Sequence, residues 1–183
     1  AKKIKQQYSA AKPLLLAIGR LVYYKGYQYA IEALKNIDAR FLIIGQGPEE
    51  NKLRALISAT NQTNKIFIIP PQTRLEPYLL ASDIFLFPSC ERSEAFGLVQ
   101  LEALAASKPI INTRLKTAVE EVSLDDVSGL TVEIKNADAL ATAINKLLND
   151  EALRQQYGEN AKQRYQELFR MELFLEKMRG LLK

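Results

Sequence analysis

Short, wholly apolar runs, each closed by glycine, proline or a polar loop, constrain this chain's fold more than any other feature. They read LLLAI at residues 14–18, FLII at 41–44, IFII at 66–69 and DIFLF at 83–87. Shorter runs follow at Ile110 and Ile111 and within residues 128–132 (SGLTV). None alternates apolar with polar side chains, so each predicts a strand buried on both faces, as in parallel sheets covered by helices. Between them, apolar residues recur at helical spacing: Ala30, Ile31 and Leu34; Leu53, Leu56 and Ile57; Leu140, Ile144 and Leu147. Five or six strands alternating with helices predict an α/β fold built on a doubly wound parallel sheet. At 183 residues, with no internal repeat, a single domain over 1–183 is expected. Residues 1–12 read as a linker or frayed start. Residues 170–183 read as a terminal helix with Leu173, Phe174, Met178 and Leu181 as its stripe.

Composition removes whole classes of function. The chain has no histidine, which rules out a Ser-His-Asp or Cys-His engine and argues against a zinc site. Its one cysteine, Cys90, has no internal partner, so a reducing, cytoplasmic compartment is expected. No apolar run approaches the ~20 residues of a membrane span. The opening AKKIKQQYSAAK is charged and polar, unlike a secretory signal. Ala at position 1 suggests a processed chain or an excised piece of a longer one. A formal charge of +4 reads as solubility, with weak attraction to anionic lipid or phosphorylated ligands as the sharper alternative. No stretch interleaves Lys or Arg with aromatics densely enough for a nucleic-acid partner.

The chemistry concentrates in residues 88–109, PSCERSEAFGLVQLEALAASKP. The pattern is strand, polar loop, Gly97 at a helix start, helix with Leu98, Leu101 and Leu104 (with Ala105) on one face, then strand. In open α/β sheets ligands bind beyond the carboxyl ends of strands, and a helix start presents free N–H groups suited to phosphate. Glu94 stands just before that start and Glu102 about a turn and a half inside it, so two carboxylates reach toward a ligand with hydroxyls at two places. Arg20 and Lys25 flank the first strand-to-helix loop, where a basic pair faces the same crevice; two solvated surface cations explain them equally well. Gly45 and Gly47 form a GxG without the rest of a dinucleotide fingerprint, and a tight turn accounts for them. Thr73 and Glu76 have capping-box spacing (TRLE). Asp125 and Asp126 read as solvated turn residues, Glu91 as a solvated loop acid, and Cys90 as an inert thiol with no base beside it.

These landmarks together resemble the C-terminal, donor-binding half of GT-B glycosyltransferases, the large retaining group called family four, over roughly residues 14–169. The resemblance rests on Gly19-Arg20 with Lys25-Gly26, on FLIIGQGP and ASDIFLFPS, and on the Glu-x7-Glu element in SEAFGLVQLEALAASKPII. SGLTV and NADALATAINKLLND complete it. It implies a Rossmann-like half of a GT-B fold and a nucleoside-diphosphate sugar, UDP- or GDP-linked, as donor, with no metal ion or cofactor. Carried onto this chain, Arg20 and Lys25 pair with the phosphates, Glu94 bonds sugar hydroxyls and Glu102 holds the ribose. Gly19 and the Ala95, Phe96, Gly97, Leu98 and Val99 backbone meet sugar and diphosphate, and residues 68–72, Ile68 first, pack near the base. Arg20, Lys25 and Glu94 are the catalytic candidates. Charge-assisted contacts of this kind contribute ~1.5–3 kcal/mol each, and stabilise charge on the leaving diphosphate.

The resemblance further implies a missing N-terminal acceptor-binding domain, a glycan or lipid-linked acceptor, peripheral contact of the whole enzyme with the inner membrane face, and little turnover by this domain alone. The resemblance also implies that Leu115 to Ala118 border the sugar, and one departure stands out there: relatives often carry glycines in this loop, where this chain has Lys116 and Thr117 between Leu115 and Ala118. A sugar-nucleotide epimerase or phosphorylase on the same half-fold would need catalytic groups or a cofactor lysine not identified here. A non-enzymatic flavodoxin-like regulatory or nucleotide-binding module predicts acids at the first strand ends, where this chain is basic.

Overall fold

A computed structural model describes residues 1–173. Six strands form one parallel sheet in the order β3-β2-β1-β4-β5-β6. They are β1 (Leu14–Ile18), β2 (Arg40–Ile44), β3 (Ile66–Ile69), β4 (Ile84–Leu86), β5 (Ile110–Thr113) and β6 (Gly129–Val132). Helix α1 (Lys2–Ile4) precedes the strands; α2 (Tyr27–Ala33), α3 (Glu50–Ala59), α4 (Glu76–Ala81), α5 (Val99–Ala105) and α6 (Val119–Val122) connect them; α7 (Ala137–Asn149) and α8 (Glu151–Arg164) follow the last. Leu16 sits in register with Leu42 on one side and Phe85 on the other, so these three side chains share one face of the sheet.

The apolar runs do what their composition requires. Leu15, Ala17, Phe41 and Ile43 turn to the face covered by α2, α3 and α7, where Ile31, Leu53 and Ile144 meet them. Leu14, Leu16, Leu42 and Ile44 turn to the opposite face, under Leu79, Ala103, Leu104 and Ala161. Burying such a side chain contributes ~1.5–3 kcal/mol, and both faces of every central strand benefit. Side-chain caps start the last two helices: Asn136 accepts from the Ala139 N–H and Asp150 from the Leu153 N–H, both at 2.9 Å. Among the described residues no helix is long and apolar enough to cross a membrane.

Four sequence expectations change. The Thr73–Glu76 capping box does not form: α4 begins at Glu76 with no side-chain cap. Residues 2–9 are helical rather than frayed, because Ile4 and Tyr8 pack on the second face and Tyr8 meets Phe67 at 5.5 Å between ring centroids. On α5 the buried positions are Gln100, Ala103 and Leu104, while Leu98 is 72% exposed. Asp126 is more than a solvated turn residue: it accepts from the Tyr157 hydroxyl at 2.9 Å and pairs with Lys146 at 3.0 Å. Of the expected terminal stripe, Phe174, Met178 and Leu181 lie outside the described residues.

Candidate functional site

The chain leaves β1 toward one face of the sheet and β4 toward the other, so the loops after these neighbouring strands part and open a crevice at their carboxyl ends. The two loops, residues 19–26 and 88–97, are stitched at their base. The Cys90 N–H donates to the Tyr24 carbonyl at 2.7 Å. Gly26 sits at φ 68°, and a Cβ there would lie 1.9 Å from the Pro88 carbonyl oxygen. Only glycine meets both demands. Wedged alongside, the buried Cys90 thiol has its pKa pushed up by burial, which keeps it protonated.

Lys25 ends a 3₁₀ turn (Tyr23–Lys25) and forms an ion pair with Glu94 from the opposite loop. Their side chains are 13% and 11% exposed. Removing two charges from water is costly unless further hydrogen bonds complete the pair. Here Ser89 Oγ donates to the same carboxylate oxygen at 3.2 Å, and the Lys25 ammonium lies 5.0 Å from the Phe87 ring centroid and 5.6 Å from that of Tyr24. The Tyr27 hydroxyl is held protonated first by burial and then by the Glu94 charge. Past Glu94 the chain turns at Gly97, φ 74°, where a Cβ would fall 2.5 Å from Phe87 Cζ. The N–H groups of Ala95, Phe96, Gly97 and Leu98 have no partner among the described residues.

A layer of neutral polar side chains supports this centre. Thr113 Oγ1 donates to the Ser89 carbonyl, and Thr117 Oγ1 donates to the Glu94 carbonyl at 3.0 Å. Gln100, buried on α5, donates to the carbonyls of Phe96 and Val119, both at 3.3 Å. Asn112 donates to the carbonyls of Val119 and Ser123 at 3.3 and 3.2 Å and accepts from Thr131 at 2.7 Å. The sequence reading missed every one of these roles. Its available signal was polarity where the pattern asks for an apolar residue: Gln100 inside an Ala/Leu helix and Asn112 inside an apolar strand. Lys116, in the loop between β5 and α6, takes the left-handed backbone that glycine favours, at φ 56°.

The remaining predicted residues are spread around this centre. Arg20 is exposed and lines an adjoining hollow of about 260 Å³ over the ends of β1 and β2, with Gly19, Gln46, Pro71 and Gln72. Glu102 lines a separate hollow of about 290 Å³ between α4 and α5, with Glu76, Leu79 and Leu80, and burial raises its pKa. The two acids therefore do not share one hollow. Ile68 turns its side chain into the core, and its carbonyl accepts from Arg54 at 3.1 Å. Pro71 and Gln72 are the residues of that connection that reach the Arg20 hollow. Glu91 is exposed, as expected.

Sheet order, switch-point crevice and a buried Lys–Glu pair between its loops define a Rossmann-like α/β domain of the kind that forms half of a GT-B fold. The chain belongs to the family described as glycosyl transferases group 1, which matches residues 1–164. Over 156 residues it is 31% identical to O-antigen chain mannosyltransferase C of Escherichia coli, covering 84% of this chain and 42% of that one. The chain thus spans less than half the length of this relative. Among solved structures it resembles HepE of Anabaena in complex with UDP, at a TM-score of 0.91 and 20% identity, over 99% of this chain and 51% of that one. It also resembles the C-terminal domain of the group 1 family protein LpcC from Francisella tularensis, at a TM-score of 0.77 and 25% identity, over 88% of this chain and 90% of that one.

Proposed function

We propose that this domain is the donor-binding half of a retaining glycosyltransferase that moves a sugar from a nucleoside-diphosphate sugar to a glycan or lipid-linked acceptor. One observation carries the reading: a cation and a carboxylate, Lys25 and Glu94, are held together where the β1 and β4 loops meet. A diphosphate entering the crevice offers Lys25 two anionic oxygens, while the sugar beyond it offers Glu94 hydroxyl donors. Each residue then exchanges its partner for a ligand group of matching polarity. The unpaired N–H groups of residues 95–98 supply further donors for the sugar and diphosphate. Arg20, at the neighbouring hollow, adds a second cation for the phosphates, and Glu102 accepts from the ribose hydroxyls across the α4–α5 hollow.

As the sugar–phosphate bond breaks, negative charge grows on the leaving diphosphate, and Lys25 and Arg20 stabilise it without calling on a metal ion or cofactor. The UDP seen in the HepE complex supports a nucleoside diphosphate in a fold of this kind. The E. coli relative's name supports a polysaccharide acceptor. In this reading a second α/β domain outside this chain binds the acceptor, the whole enzyme works in the cytoplasm at the inner membrane face, and this domain alone binds donor but turns over little. Calorimetric titration with UDP, GDP and ADP tests it: one of the three binds with a Kd below the millimolar range. Silence from all three overturns the reading.

A further inference from the structure

We infer that Thr117 is a positioning residue for the transferred sugar, its hydroxyl fixing the backbone of Glu94 and so the place where the Glu94 carboxylate meets a sugar hydroxyl. The inference rests on the reading of Glu94 given above. Residues 89–94 are pinned at both ends from a single neighbouring segment. Thr113, the last residue of β5, donates to the Ser89 carbonyl, and Thr117, four residues on, donates to the Glu94 carbonyl at 3.0 Å. The Thr117 oxygen also accepts the Val119 N–H at 3.4 Å. A hydroxyl has one proton, and with its oxygen engaged by Val119 that proton is directed at Glu94.

The anchors are themselves firm. Thr113 lies in the sheet, in register with Val132. Val119 begins α6, and its carbonyl is taken by both Gln100 and Asn112 from buried positions. The Glu94 carboxylate, by contrast, has two partners, Lys25 and Ser89. A diphosphate competes for the first of these. Once Lys25 turns to phosphate, the carboxylate is steadied by Ser89, which Thr113 holds, and by the main-chain bond from Thr117. Thr117 therefore matters most in the state where the sugar is being gripped.

The test separates the sugar's share of binding from that of the diphosphate. The chain is titrated calorimetrically with UDP and UDP-glucose, with GDP and GDP-mannose, and with ADP and ADP-glucose. For the pair that binds, the ratio of the two Kd values measures what the sugar adds. Thr117→Val is expected to lower that ratio about fivefold while the bare diphosphate changes by less than about twofold, and Thr117→Ser to restore it. An unchanged ratio, an equal loss for both ligands, or a serine variant that behaves like valine overturns the inference and leaves the wider reading intact. Should the valine variant melt below the titration temperature, Thr117→Ala carries the same expectation, and failure of both to fold assigns the threonine to stability alone and overturns the inference. A parent chain that binds no nucleotide overturns the donor-site reading and the inference with it. A parent that binds the diphosphate but gains nothing from the sugar overturns the role given to Glu94, and with it that of Thr117.

Discussion

Glu94 and Glu102 belong to one loop-helix unit and look equivalent in the sequence, yet the protein treats them in opposite ways. Glu94 is buried, paired with Lys25, bonded to Ser89 and fixed through its own carbonyl by Thr117. Glu102 stands on the exposed flank of α5 with no ion pair among the described residues, facing the α4–α5 hollow, where the partial burial of its carboxyl raises its pKa. The first carboxylate is stored in an internal contact that a ligand must exchange. The second waits unpaired at a small cost to the folded state. Spacing along the chain sets where two acids leave the backbone, and residues distant in sequence decide what each acid experiences.

The sharpest way to break this contrast is to separate the two loops. Gly26→Ala places a Cβ against the Pro88 carbonyl at a left-handed position, so its effect falls on the Glu94 side and leaves the α4–α5 hollow alone. We expect a loss of ~3 kcal/mol or more, read by urea unfolding, or failure to fold. Next in size is Glu94→Gln, which strands the Lys25 charge and costs about 3 kcal/mol. Glu102→Gln, with no partner to strand, stays within about 0.5 kcal/mol of the parent. Equal losses for the two variants would erase the distinction. Adding Lys25→Met to Glu94→Gln removes the stranded charge, so the double variant should recover much of the loss.

In affinity the order reverses for the nucleotide. Glu102→Ala should weaken nucleoside-diphosphate binding about tenfold, measured by calorimetry, with an unchanged melting temperature. A variant that binds as tightly as the parent removes the ribose role of Glu102. The smallest effect is in pH. Burial raises the Glu102 pKa above its ordinary 4.5, so the folded chain favours the protonated form. The stabilisation from that proton is complete below the unfolded pKa and is lost as pH rises through the raised value. Thermal melts should accordingly show Glu102→Gln level with the parent in acid and slightly above it at neutral pH. A parent that outlasts the variant at neutral pH contradicts this sign.

The sheet was legible because its information is local. LLLAI, FLII and IFII are apolar on every residue, and only a strand with helices on both faces accommodates that. The two acids and Lys25 were legible as positions through their spacing and their neighbours. What the sequence did not disclose is long-range and polar. Thr113, Thr117 and Ser89 are ordinary residues until folding brings β5 beside the β4 loop. The α5 face was misread because Gln100, not Leu98, fills the buried position, and its amide is retained there by carbonyls supplied by Phe96 and Val119. Residues 1–12 read as a linker or frayed start because their few apolar residues, Ile4 and Tyr8 among them, find the core only in three dimensions.

Cys90 has a practical consequence. The chain's lone thiol is clamped under Tyr23 and Tyr24, and its protonated state makes it a poor nucleophile toward maleimide while the clamp is closed. Its alkylation rate is therefore a built-in clock for how often the two halves of the crevice breathe apart, readable by mass spectrometry without adding any foreign label to the molecule.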